Sequence, residues 1–316
     1  MKIRYGLVLA MALGLGLAGC AAGGGGGGGS ARPSAAGGSV GAGENPRNTD
    51  NTRAAEDALE EAEAAASPAQ ATQFYQQALT AAQAAIAEDG LNPLAHRLAA
   101  MASMGLGDYR SAGTHFDHAV ELRPLYEFDL VGIRERAWID LYQEATPFVQ
   151  SGDYQGALEY FENANAIYDG RPEAVITLGQ LYAQLGDHDA ALEAMDQAIA
   201  FGSSEKMAEM VVSDSATARG WEEQIAEVPG LRAQVLAAAG RFEEAETAFR
   251  ALVAQNPDDL SLKRSLGQIL TETGDEAGAT AVYEEMLGMQ GTTAEDMYII
   301  GVGFYQMSDY ARAADA

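Results

Sequence analysis

The sequence is short of cysteine and of positive charge. Its 316 residues include one cysteine, Cys20, and three lysines, and 19 Lys and Arg side chains stand against 46 Asp and Glu. A single cysteine excludes an internal disulfide and a cysteine-rich zinc site. A net charge of −27 argues against nucleic acid as a partner and against a membrane contact driven by charge, because both depend on lysine and arginine.

Catalytic motifs are also missing. The sequence has no Ser-His-Asp arrangement, no phosphate-binding glycine loop and no zinc-protease motif, so it predicts neither an enzyme nor a cofactor. Of its four histidines, His115 and His118 are three residues apart on one expected helix. That spacing suits two metal ligands, so a metal or small-ligand carrier is one alternative, but a helical metal site needs further ligands from elsewhere. We interpret the two histidines as part of a polar helix face and predict no metal site.

Residues 1–19 have the layout of a secretory signal peptide, with a basic start and an apolar run over residues 7–17. The run is too short for a convincing membrane span. It ends in Leu-Ala-Gly-Cys at Cys20, which resembles the lipobox of bacterial lipoproteins and implies cleavage before Cys20 and its lipidation. The alternative is an ordinary signal peptide with a chance cysteine. Ala21, rather than an aspartate, follows, and by analogy with lipoprotein sorting this favours the periplasmic face of the outer membrane of a bacterial cell envelope.

Residues 20–52 are predicted to be the lipidated cysteine and a disordered tether. Seven consecutive glycines, Gly23 to Gly29, precede a stretch rich in Ser, Ala, Gly, Pro and Asn. Such a composition cannot bury enough apolar surface to offset the entropy lost on ordering. As a glycine-rich coil the tether has a root-mean-square reach of roughly 30 Å, which would hold the folded part clear of the lipid headgroups.

A helical pattern recurs along the rest of the chain and is clearest between Pro172 and Ala200. There the sequence predicts two short helices joined by a tight turn at Gly186. Small residues such as Ala191 let the two backbones approach, and Met195 fills the space between them. Copies with the same order of glycine, aromatic residue and alanine begin near residues 93, 138, 172, 226, 260 and 294.

This pattern resembles the tetratricopeptide repeat, a helix–turn–helix unit with a period of 34 residues. The resemblance implies an all-α fold, a right-handed α-solenoid built from antiparallel helix pairs. We assign residues 93–316 to the array and residues 53–92 to a degenerate repeat that caps it.

Three places depart from the regular period. Extra residues after Pro124 are predicted to lengthen the helix that follows. An insertion over residues 204–225 is predicted to form a helical hairpin or a long loop, with a short helix that opens at Gly220 and ends at Pro229. The last copy stops at Ala316 within its second helix, so we expect the sequence to be a fragment of a longer chain.

In tetratricopeptide repeats the first helix of each pair lines the concave face, and the resemblance places this role on particular residues here. A row of amides with tyrosine and arginine side chains suits hydrogen bonding to an extended or helical peptide. The alternative is that exposed helix positions carry glutamine only because of composition. The predicted partner-binding residues are Arg97, Tyr142, Gln150, Gln180, Gln184, Gln234, Arg264, Gln268, Tyr298 and Gln306.

These features predict a membrane-anchored scaffold of the bacterial cell envelope that binds proteins or peptides. No enzyme activity, cofactor or nucleic acid is predicted. The alternative function is that of a targeting half of a longer enzyme or secretion-system component, whose catalytic or effector domain would lie beyond residue 316.

Overall fold

A computed structural model describes residues 41–316, and every regular element in that range is helical. The chain forms two compact units. The N-terminal unit comprises residues 41–175 and 205–215, and the C-terminal unit comprises residues 176–204 and 216–316. In the part of the chain that the structure covers, no helix is both long and apolar enough to cross a membrane. The all-α fold predicted from the sequence is confirmed.

The helices follow one another in pairs joined by short turns. Four of them, α3, α7, α12 and α14, begin at or next to the repeat starts near 93, 172, 260 and 294. In chain order the elements are α1 (Asp50–Glu63), α2 (Pro68–Glu88), α3 (Pro93–Gly105), α4 (Tyr109–Leu122), a 3-10 helix (Pro124–Tyr126), α5 (Glu127–Ser151), α6 (Tyr154–Ile167), α7 (Glu173–Leu185), α8 (His188–Phe201), α9 (Glu205–Ser213), α10 (Ser215–Ala238), α11 (Phe242–Gln255), α12 (Leu260–Thr273), α13 (Glu276–Gly288), α14 (Ala294–Gln306) and α15 (Tyr310–Asp315).

A glycine and an aspartate reverse the chain within most pairs. The glycine has φ between 78° and 82°, a left-handed conformation that a residue without a Cβ adopts at little cost. The aspartate caps the next helix by accepting a hydrogen bond from a backbone N–H of its first turn. These turns are Gly107-Asp108, Gly152-Asp153, Gly186-Asp187 and Gly274-Asp275.

Two turns depart from this scheme. After Gly240, Arg241 occupies the cap position and makes no side-chain cap. Before Asp309, Ser308 holds a φ of 64° where the other turns have glycine. Both positions therefore lack a stabilising feature that the other turns have.

The alanine and the large residue that recur in the second helices of the repeats are buried. In five second helices the alanine near the start and the large residue four positions later are each at most 1 % exposed. Residues four apart lie on one helix face, so both point toward the first helix of the pair. The alanine permits close approach of the backbones and the large side chain fills the remaining space. The alanines are Ala112, Ala157, Ala191, Ala245 and Ala279, and the large residues are Phe116, Phe161, Met195, Phe249 and Tyr283.

The extra residues after Pro124 lengthen α5, as predicted. Arg134, buried in the added part of this 25-residue helix, donates from Nε to the Ile167 carbonyl at 2.7 Å. Its Nη2 pairs with Asp117 at 2.6 Å. The last carbonyls of a helix have no partner inside that helix, so the guanidinium satisfies one of them at the end of α6. Arg134 thereby ties the added turns of α5 to both α4 and α6.

The helix end predicted at Pro229 is wrong. One helix, α10, continues through this residue to Ala238. A proline inside a helix removes one backbone donor and costs about 3 kcal/mol. On either side of it, Trp221, Val228 and Ala233 are at most 3 % exposed. Burying a large apolar side chain contributes about 1.5–3 kcal/mol, so the packing of these residues offsets the cost of the proline.

A short segment before α1 is bound to the N-terminal unit. Arg47 and Asn92 exchange two hydrogen bonds of 3.1 and 2.8 Å, and the Glu44 N–H donates to the Leu122 carbonyl at 2.7 Å. The predicted tether over residues 20–52 therefore differs from the structure at its C-terminal end. The signal peptide, Cys20 and the rest of the tether lie outside the described residues.

Candidate functional site

All ten predicted partner-binding residues lie at the surface, and most belong to the C-terminal unit. Four of them are exposed and the other six are half-buried. The N-terminal unit carries Arg97, Tyr142 and Gln150. The C-terminal unit brings together Gln180, Gln184, Gln234, Arg264, Gln268, Tyr298 and Gln306.

The glutamines of this set are available to a ligand. Each amide has two N–H donors and an acceptor oxygen. Within residues 41–316 none of the six side chains makes a hydrogen bond to another group of the chain. An amide that faces solvent without an internal partner can pair with the backbone of a bound peptide.

Arg264 has a structural role that the sequence did not indicate. Its Nη2 lies 2.8 Å from Asp296 Oδ1, which joins α12 to α14. Asp296 is 2 % exposed and accepts hydrogen bonds from the N–H and the hydroxyl of Thr293 at 2.9 and 2.7 Å. Burial opposes ionisation of Asp296, but the hydrogen bonds from Thr293 and the charge of Arg264 outweigh it and lower the pKa of the carboxyl. This guanidinium is therefore already paired.

Two other predicted residues also pack within the N-terminal unit. The Tyr142 ring stacks on Trp138 with the ring centres 4.8 Å apart, and it meets Phe161 edge-on at 5.1 Å. The Arg97 guanidinium lies 5.3 Å from the centre of the Tyr126 ring, within reach of a cation–π contact. Both side chains stabilise the unit as well as forming part of its surface.

An exposed aromatic face runs along α14. Tyr298, Val302 and Tyr305 are four and then three residues apart, so they lie on one side of the helix, and they are 73 %, 38 % and 64 % exposed. Tyr310 at the start of α15 extends the face, with its ring edge-on to Tyr305 at 5.4 Å. Exposed apolar groups in one patch mark interaction surfaces, and tyrosine combines a large apolar ring with a polar hydroxyl. We call these four residues the tyrosine face.

The N-terminal unit has an open cleft of about 490 Å³ beside α5. The apolar residues of the cleft suit one apolar side chain of a partner, and the Arg136–Asp140 ion pair beside them suits a neighbouring polar group of that partner. Burial, followed by the charges of Glu144 and Asp140, raises the pKa of Tyr109, so its hydroxyl remains a hydrogen-bond donor. The cleft is lined by Met104, Tyr109, Gly132, Ile133, Arg136, Ala137 and Asp140.

Family models identify the helix pairs. Residues 148–207 match a model described as tetratricopeptide repeat, and residues 231–292 match a second model with the same description. Both stretches are tetratricopeptide repeats. The first match spans α6, α7 and α8, and the second spans α11, α12 and α13.

Solved tetratricopeptide structures resemble parts of the chain at low sequence identity. MamA from Desulfovibrio magneticus RS-1 is 16 % identical over 57 % of this chain and 90 % of its own, with a TM-score of 0.45. A tetratricopeptide repeat protein from Parabacteroides merdae ATCC 43184 is 18 % identical over 83 % of this chain and 90 % of its own, with a TM-score of 0.39. YrrB, described as having an unusual peptide-binding site, is 16 % identical over 74 % of this chain and 96 % of its own, with a TM-score of 0.37. A search of curated proteins finds no match.

Stacked tetratricopeptide repeats serve as protein-interaction scaffolds.

The repeat positions that select Tyr298 and Gln306 on α14 as binding residues also select Val302 and Tyr305, which were not among the predicted residues. Their spacing on the helix was the signal that would have found them. The α5 cleft, in contrast, had no signal in the sequence, because it depends on how the added turns of α5 lie beside α3 and α4.

Proposed function

We propose that this protein is a non-enzymatic scaffold that binds peptide segments of partner proteins on the tyrosine face and the neighbouring amides of the C-terminal unit. The observation that carries the proposal is the exposure of Tyr298, Val302 and Tyr305 along α14. In this family the first helix of each pair forms the binding face, and α14 is such a helix. It packs beside α12, the first helix of the preceding pair, which contributes Gln268.

The bound segment is expected to be neutral or basic and to carry aromatic or aliphatic side chains. Several cations of the C-terminal unit are already paired: Arg264 with Asp296, Arg232 with Asp196 at 2.6 Å, and Lys263 with Glu285 at 2.5 Å. With 46 acidic side chains in the chain, an acidic segment would be repelled. Tyrosine rings attract lysine and arginine side chains through cation–π contacts, which favours a basic segment further.

A selection with a phage-displayed library of random short peptides tests this proposal. The wild-type protein should enrich sequences that combine Lys or Arg with aromatic residues. The enriched peptides should lose binding to the Tyr298→Ala/Tyr305→Ala variant. Binding should persist in Leu287→Ala, which removes an exposed apolar side chain from α13 in the same unit. Enrichment of no common pattern, or equal binding to the tyrosine variant, would contradict the proposal.

The proposal places the scaffold on the periplasmic face of a bacterial outer membrane, attached through lipid on Cys20. The support is the sequence Leu-Ala-Gly-Cys after a short apolar run, together with the absence of any other cysteine in the sequence. Each buried methylene contributes about 0.8 kcal/mol, and two or more acyl chains are needed for stable attachment.

Metabolic labelling with an alkyne fatty acid tests the anchor. Because Cys20 is the one cysteine of the chain, the label should appear in the wild type and vanish in Cys20→Ser. The labelled protein should fractionate with the outer membrane, and Ala21→Asp should move it to the inner membrane. An unlabelled wild-type protein, or a Cys20→Ser variant that stays with the membranes, would refute the lipid anchor. Either outcome would leave the proposal for the tyrosine face unaffected.

A further inference from the structure

Three of the four histidines of the chain meet in the N-terminal unit. His96 on α3 lies with its ring centre 5.4 Å from that of His115 and 5.3 Å from that of His118, both on α4. The Nδ1 atoms of His96 and His115 are 3.2 Å apart. The sequence reasoning considered His115 and His118 alone, and His96 becomes part of the group only when α3 packs against α4.

The orientation of His96 is fixed by a second contact. Its Nε2 lies 3.2 Å from the Gly90 carbonyl oxygen. A carbonyl only accepts, so Nε2 carries the proton and Nδ1 presents its lone pair toward His115. His96 is 8 % exposed, so this ring is held in place. A ring N–H donated to a backbone carbonyl is the usual support of a metal-binding histidine.

The separation of the two ring nitrogens matches the geometry of a metal site. Zinc binds histidine nitrogen at about 2.0–2.1 Å with tetrahedral angles, which places two bound nitrogens about 3.3 Å apart. We propose that Nδ1 of His96 and Nδ1 of His115 bind a divalent transition-metal ion of the zinc type, and that His118 supplies a third imidazole. Neutral imidazole is a preferred ligand of such ions.

His118 completes the site by rotating its side chain. In residues 41–316 no three His, Cys, Asp or Glu side chains already stand in position to hold a metal ion. The His118 side chain is 53 % exposed, so a turn toward the pair breaks only the exposed 3.5 Å contact between its Nδ1 and Glu121. His115 then carries its proton on Nε2 instead of Nδ1, a change of tautomer with no net loss of a proton.

Burial and two nearby carboxylates set the electrostatics around the three histidines. Burial is the main cause that lowers the pKa of His96, with the hydrogen bond to Gly90 opposing it and His118 adding to it. Burial, followed by the charges of His96 and His118, also lowers the pKa of His115, against the charge of Asp108. The carboxylates of Asp108 and Glu121 offset part of the positive charge that the ion would add.

Titration with Zn²⁺ alone tests the proposal, with the full chain purified without a histidine tag and treated with a chelator. Calorimetry should show one equivalent bound by the wild type and equally by His188→Ala, the matched control that removes the histidine outside the cluster. His115→Ala and His118→Ala should each weaken binding, His115→Ala by more than about tenfold. Zn²⁺ should raise the Tm of the wild type but not that of His115→Ala, because only the folded wild type binds the ion.

Two further measurements distinguish a loss of zinc binding from misfolding of the variant. His115→Gln keeps a side chain that hydrogen-bonds and should fold as the wild type does by circular dichroism, yet it should lose zinc binding. Co²⁺ in place of zinc should give the visible absorption of a tetrahedral site in the wild type and not in His115→Gln. No saturable binding of Zn²⁺ to the wild type, or equal binding by His115→Gln and His188→Ala, would overturn the proposal.

Discussion

Gly113→Ala is predicted to disrupt the contact between the second helices of two successive pairs, α4 and α6. A Cβ built on Gly113 would lie 2.0 Å from the carbonyl oxygen of Ala166 and 2.9 Å from its carbonyl carbon. Both are backbone atoms, so no side-chain rotation relieves the clash. One helix would have to move by more than about 1 Å, and overpacking of this kind costs about 1–3 kcal/mol or more.

Gly132→Ala is the matched control. Gly132 also lies inside a helix, α5, but a Cβ there meets nothing within 4 Å. Replacing a helical glycine by alanine contributes about 0.8–1.0 kcal/mol of stability through helix propensity, and this gain is common to both variants. The difference between them therefore isolates the steric cost, and we expect Gly113→Ala to be less stable than Gly132→Ala by about 3 kcal/mol.

Chemical denaturation followed by circular dichroism measures this difference, and amide hydrogen exchange locates it. Protection should fall in α4 and α6 of Gly113→Ala, while Gly132→Ala should keep or gain protection. If the two variants unfold with free energies within about 0.5 kcal/mol of each other, the close approach of α4 to Ala166 is refuted.

Three further substitutions test the turns and the buried ion pair. Arg241→Asp supplies the missing cap of α11 and removes the exposed ion pair of Arg241 with Glu244, whose contribution is small, so the variant should be more stable than the wild type in chemical denaturation. Ser308→Gly removes a left-handed conformation from a residue with a Cβ and should add about 1 kcal/mol, seen as slower amide exchange in α15. Asp296→Asn should cost about 1–3 kcal/mol near neutral pH. The folded state lowers the pKa of Asp296, so the stability that its charge contributes is present above the unfolded pKa of about 3.9 and is lost as pH falls through the folded pKa. Below about pH 4 the free energy of unfolding should therefore fall less steeply with decreasing pH in Asp296→Asn than in the wild type.

The recurring residues of the repeats could be predicted from the sequence, because each of them meets a local structural requirement. Gly186 supplies a left-handed turn, Asp187 caps the next helix, and Ala191 and Met195 face the partner helix one turn apart. Each of these depends on residues only a few positions away. The same logic failed at Pro229, where packing of distant side chains outweighs a local helix-breaking preference.

The candidate sites were less predictable because they depend on which helices meet. Arg264 occupies a repeat position that is typical of groove residues. Its partner Asp296 lies on α14, the first helix of the next pair, so the ion pair can be recognised only in the three-dimensional structure. His96 approaches His115 in the same way, through the packing of α3 on α4. Tyr305 was accessible to sequence reasoning, since it follows Tyr298 by seven residues on one helix face.

Site-specific photo-crosslinking to a peptide selected from the random library tests directly whether partner segments bind at the tyrosine face. A benzophenone amino acid replaces Val302 in one protein and Gln255, an exposed residue on α11, in another. If the peptide binds at the tyrosine face, position 302 should give a crosslink that excess unlabelled peptide abolishes, and position 255 should give none. Crosslinking from position 255 equal to or above that from position 302 would contradict binding at this face.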